Sequence, residues 1–129
     1  MMQQNNDECV NNTYLCVADA VQRVCDEELV HEMLVMLHGS VRKDWSEFEV
    51  FFKTHQYTLA ANSLHAMKGT IPIFSDKKTE ETMHKTEALL RAAAREFDLN
   101  SAIEDLSFQM HGFMSELDLW VKTQQKVAI

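Results

Sequence analysis

A chain of 129 residues fits one domain, and its three glycines and single proline are too few for the frequent turns of a strand-based fold, so the composition favours an all-α protein. A formal net charge of −8 sets the chain against phosphate backbones and anionic lipid, which makes nucleic acid and membrane surfaces poor partners. No stretch approaches the roughly 18 consecutive apolar residues of a membrane span, and residues 1–8 are polar, without the basic and apolar regions of an export signal.

A cytoplasmic protein is the expectation. Cys9, Cys16 and Cys25 then read as reduced thiols, at spacings that match no zinc pattern. The sequon at residues 11–13 carries no weight in that compartment. Residues 1–12 read as a flexible tail and residues 13–129 as one helical-bundle domain. From Thr13 onward the apolar period is helical.

The first segment, 13–25, carries Leu15, Val17, Val21 and Val24. The second, 26–38, opens on Asp26, Glu27 and Glu28, acids suited to a helix N-terminus, and its stripe is Val30, Met33 and Leu37. Gly39-Ser40 is a candidate break; the third segment, 41–55, with Val41, Trp45, Phe48 and Phe52, either follows it or continues the second helix. The fourth helix is expected over 56–74, and the fifth over 76–97 with Met83, Leu90, Ala93 and Phe97 on one side, capped by Ser75 or Asp76. The last, 101–125, has capping-box spacing at Ser101 and Glu104 and a seam of Ile103, Leu106, Met110, Phe113, Leu117 and Trp120. Met33, Met36, Met83, Met110 and Met114 read as core, and Gly112 beside His111 as a point of close packing.

The fourth helix holds the candidate site. Ala60, Leu64, Met67, Ile71 and Phe74 form its core stripe, and His65 falls roughly 140° from the centre of that stripe at about 100° per residue. His65 should therefore face solvent, with Lys68 and Gly69 beside it one turn on, Ala61 one turn before and Pro72 two turns after. An exposed neutral imidazole is a competent nucleophile toward phosphorus, and a lysine one turn away can pair with the dianion formed. A glycine within a helix costs about 1 kcal/mol relative to alanine, so Gly69 suggests clearance for another protein's active site.

The run His65-Ala66-Met67-Lys68-Gly69-Thr70 resembles the His-x-x-Lys-Gly-Ser/Thr signature of histidine-containing phosphotransfer (HPt) domains. The order of the helical segments over 13–125 is similar to that family as well. The resemblance implies an up-and-down four-helix bundle with one or two accessory helices. It also implies a carrier, not an enzyme: His65 would accept phosphate from a receiver-domain aspartate and pass it to another receiver. Lys68 would pair with the phosphoryl charge, and Gly69, Ala61 and Pro72 would border the docking face. The partners implied are receiver domains of a hybrid sensor kinase and of a response regulator. Mg²⁺ would belong to the receiver, with no cofactor on this chain, and no Gly-rich phosphate loop is present. Two positions depart from the pattern: Pro72, which removes a backbone donor late in the motif helix, and Ser75, at whose position the family often has glycine.

Two other readings compete. One is a non-catalytic helical bundle that only binds partners. The other is a di-iron carboxylate bundle, because Glu28-x-x-His31 and Glu81-x-x-His84 have the required spacing, with Glu47 or Glu49 and Glu104 or Glu116 as further ligands. The order is wrong for it, since residues 9–25 contain no Glu to serve the helix before the first motif.

Overall fold

The computed structural model describes residues 14–128, and their side chains through residue 124. The expected tail at 1–12 lies outside the described residues. The protein is all-α, with six helices among the described residues: α1 (Val17–Val24), α2 (Glu27–Lys53), α3 (Tyr57–Met67), α4 (Ile71–Phe74), α5 (Lys77–Arg91) and α6 (Glu96–Ala128). Helices α2, α3, α5 and α6 close a ring, α2 packing on α3 and α6, and α5 on α3 and α6. Phe48, Leu64, Phe74, Met83, Met110 and Phe113 are among the side chains buried in the core between them.

Two aspartates start helices as the sequence suggests. Asp26 caps α2 by accepting from the Leu29 amide at 3.0 Å, and Asp76 caps α5 by accepting from the Thr79 amide at 3.2 Å. Gly39-Ser40 is no break. Helix α2 runs through it, and a Cβ at Gly39 would meet nothing within 4 Å. The helix ends instead near Thr54, with His55 left-handed at φ 61°.

The expected helix 56–74 is two. Pro72 cannot donate to the Lys68 carbonyl and its ring crowds that position. The chain tightens there into a turn, with the Gly69 amide donating to Ala66 O and the Thr70 amide to Met67 O, both at 3.1 Å. Pro72 then falls in the first turn of α4, where a missing donor costs nothing. Arg23 of α1 donates to the Pro72 and Ile73 carbonyls, both at 3.0 Å.

The boundary between the last two helices also moves. Helix α5 ends at Arg91, Ala93 turns the chain at φ 54°, and α6 starts at Glu96, so Ser101 lies inside a helix and caps nothing. Phe97, expected in the core of the fifth helix, sits on α6 and is 78% exposed. Met36, also expected in the core, is 74% exposed, whereas Met83, Met110 and Met114 are buried.

Residues 14–16 form a strap across one end. The amides of Tyr14 and Leu15 donate to Glu116 Oε1 on α6, both at 2.8 Å, and Leu15 bridges Ser75. Tyr14 lies against Gly112, whose missing side chain leaves room for the ring. Cys16 is disulfide-bonded, a departure from the three reduced thiols expected, while Cys25 is exposed and free.

Candidate functional site

Helix α3 buries Ala60, Ala61, Leu64 and Met67 and turns His65 outward, its side chain 70% exposed. Ala61 corrects the helical-wheel reading. It is fully buried in the core, so it cannot border a docking face. Gly69 is exposed, but it stands in the turn after α3 and not within a helix. Pro72 is half-buried on α4, where its carbonyl serves Arg23.

What joins His65 to Lys68 is a residue that sequence reasoning missed. Glu87 projects from α5 with only 10% of its side chain exposed. Its Oε1 accepts from Lys68 Nζ at 2.7 Å, and its Oε2 accepts from Arg91 Nε at 2.8 Å and lies 3.1 Å from His65 Nδ1. Burial pushes the Glu87 carboxyl up. The hydrogen bonds from Lys68 and Arg91, with the charges of Lys68 and His65, outweigh it and hold the pKa at about 2. Glu87 is therefore an anion throughout the neutral range.

An ionised carboxylate only accepts hydrogen bonds, so the contact places a proton on His65 Nδ1. In the neutral ring Nε2 then carries the lone pair, on a side chain that is mostly solvent-exposed. Lys68 is not a mobile surface charge. Its side chain is 15% exposed and its ammonium is committed to Glu87. Arg91 is more open, its side chain 44% exposed and bound through Nε to Glu87.

Glu87 had a signal in the sequence. It lies four residues after Met83 and three before Leu90, on the stripe that faces the core. An acid there is costly unless paired, and Arg91 one turn on supplies half of the pairing.

A groove of about 780 Å³ runs between α2 and α3, beside His65, with Asn62, Ser63 and Ala66 of α3 on its wall. The di-iron nominees do not converge: among the described residues no three His, Cys, Asp or Glu side chains form a group that could hold a metal. No helix among the described residues is long and apolar enough to cross a membrane. Neither a family model, nor a curated protein, nor a solved structure matches the chain.

Proposed function

We propose that this protein is a phosphorelay carrier that accepts a phosphoryl group on His65 from a receiver-domain aspartate and hands it to another receiver. The observation that carries the reading is the pairing of an exposed His65 with a buried Glu87, ionised at neutral pH, at Nδ1. That pairing leaves Nε2 as the nucleophile.

The chemistry balances without a proton transfer. The Nε2 lone pair attacks phosphorus of the acyl phosphate, the N–P bond forms, the O–P bond breaks, and the receiver aspartate departs as a carboxylate. The phosphorylated ring keeps its Nδ1 proton and so becomes cationic. Glu87 stabilises that cation and holds the ring in one orientation, much as a buried carboxylate serves a catalytic histidine elsewhere. Lys68 and Arg91 keep Glu87 ionised. The receiver supplies Mg²⁺ and the acidic pocket; this chain supplies the nucleophile and the docking surface.

Radiolabelled, phosphorylated receiver domains incubated with the protein test the reading. Wild type should take up an acid-labile, alkali-stable label, and His65→Gln should take up none while its melting temperature barely moves, because exposed substitutions shift stability by about 0.5 kcal/mol or less. Glu87→Gln should retain the label but acquire it about 10- to 100-fold more slowly, since it keeps the shape and loses the charge that stabilises the ring cation. Full labelling of His65→Gln, or no labelling of wild type by any receiver, refutes the assignment.

A further inference from the structure

Helix α6 carries a line of large apolar side chains on its exposed side. Phe97 is 78% exposed, Phe108 72% and Leu119 63%. They are spaced eleven residues apart, and three turns of α-helix take about 10.8 residues, so all three stand on one face, each roughly 16 Å from the next. Ser101, Glu104, His111 and Ser115 are exposed on the same strip. Tyr14 widens it, its ring edge-on to Phe108 with centroids 6.4 Å apart. Helices α2 and α5 each pack on both α3 and α6, which sets α6 diagonally across the ring from α3 and turns this strip away from His65.

From this we propose that the strip is the interface of a two-fold dimer of this chain, in which α6 packs antiparallel on its own copy about an axis at Phe108. The proposal does not depend on the phosphocarrier reading. The strip is complementary to itself, because its spacing is the same read from either end. Phe108 meets its own copy, Phe97 meets Leu119 of the second copy, and Ser101 meets Ser115, small against small. Glu104 lies four residues before the centre and His111 three after it, on the same flank of the strip. The two-fold therefore sets Glu104 opposite His111 of the second copy, twice over. Glu104 meets no cation of its own chain among the described residues. His111 Nδ1 lies 2.8 Å from the Ser107 carbonyl oxygen, which only accepts, so Nδ1 carries a proton, and a second proton taken at Nε2 is donated to that carboxylate. An aromatic side chain has about 150–250 Å² of surface, so the exposed parts of Phe97, Phe108 and Leu119 on two copies present on the order of 800 Å². Tyr14 and the polar residues between them bring the contact to about the 1,200 Å² at which specific interfaces begin. The net charge of −8 opposes association at long range, but salt near 0.15 M screens it beyond about 8 Å. Anionic lipid meets the same charge without a histidine to offset Glu104.

Analytical ultracentrifugation from about 1 μM to about 1 mM should show monomer giving way to dimer, as suits a small interface. Phe108→Glu places two carboxylates at the axis and should weaken the dimer at least about 100-fold, while circular dichroism shows a folded protein. Glu104→Lys alone and His111→Glu alone should each weaken it about tenfold, by setting like charge against like. The double exchange should restore wild-type affinity to within about threefold, and a mixture of the two single variants should associate more tightly than either alone. Val50→Glu, on the exposed side of α2, should change nothing. A monomer over the whole range, a dimer that Phe108→Glu leaves intact, equal weakening by Val50→Glu, or a double exchange that regains no affinity would overturn the inference. Labelling of His65 by phosphoramidate, a small phosphodonor that needs no docking, should be equal per chain in wild type and Phe108→Glu; slower labelling of the wild-type dimer would overturn the arrangement. If neither phosphoramidate nor any receiver labels wild type, the phosphocarrier reading fails, while sedimentation still decides the dimer.

Discussion

At the scale of single residues, Gly69 changes meaning between sequence and structure. Read as a helix-interior glycine, it should cost stability that alanine would restore. In the turn after Met67 there is no such helix to repair. A Cβ at Gly69 would sit 3.3 Å from the Ala66 carbonyl oxygen, a tight approach to the atom that accepts the Gly69 amide. The stiffer unfolded chain favours alanine by about 0.4–1 kcal/mol and the crowding opposes it, so Gly69→Ala should leave stability within roughly 0.5 kcal/mol of wild type. The steric part of the docking argument survives, because the position is exposed and adjoins Lys68. Gly69→Trp should fold and still react with phosphoramidate, yet slow transfer from a receiver by about 100-fold, since small misplacements of reacting atoms are costly. Side-by-side rates with the two donors check this; equal slowing with both would mean that the indole covers His65 itself and not the partner's path.

At the scale of elements, the helices were legible in the sequence, and so were two of their starts, but several of their ends were not. The 3.6-residue period survives in every long segment because it reflects burial of one face. Asp26 and Asp76 were readable because a capping carboxylate acts on amides two or three residues away. The α5–α6 turn was unreadable because Ala92-Ala93-Ala94 looks like good helix; a left-handed alanine at Ala93 is chosen by packing of the flanking helices, not by local preference. The site divides in the same way. His65, Lys68 and Gly69 are close in sequence and were found together, whereas Glu87 reaches them only because α5 packs on α3. The remaining glycines show how context decides. Gly39→Ala in mid-α2, facing open space, should raise stability by up to about 1 kcal/mol. Gly112→Ala in α6 drives a methyl group into the Tyr14 ring and should cost about 1–3 kcal/mol unless the strap moves away. Urea melts of the two variants provide the check: opposite signs are expected from one and the same substitution.

At the scale of the whole molecule, two ionic clusters tie different helix pairs of the ring. Glu87 joins α5 to α3 through Lys68 and His65. Asp118 joins α6 to α2, accepting from Arg42 and lying 2.8 Å from His38 Nε2. Burial raises the Asp118 carboxyl, but the hydrogen bonds and charges of Arg42 and His38 prevail and lower its pKa, the same balance as at Glu87. A carboxyl with a depressed native pKa binds its proton more weakly folded than unfolded. Its contribution is thus complete above the unfolded value and is lost as pH falls through the native one. For Glu87 that window runs from 4.5 down to about 2, and the contribution at stake is up to roughly 3 kcal/mol. Wild type should therefore lose stability steeply below about pH 4.5. Glu87→Gln should be less stable at neutral pH, with a buried Lys68 short of its counter-ion, and markedly less sensitive to acid. Asp118→Asn should flatten the curve by a smaller amount, because the pair it leaves is more exposed. The two clusters share no residue, so the double variant should show the sum of the single effects to within about 0.5 kcal/mol. Urea midpoints measured from pH 7 to pH 2 would check this; an unchanged acid slope in Glu87→Gln would show that Glu87 is not ionised against Lys68 and Arg91, and the fixed tautomer of His65 would lose its basis.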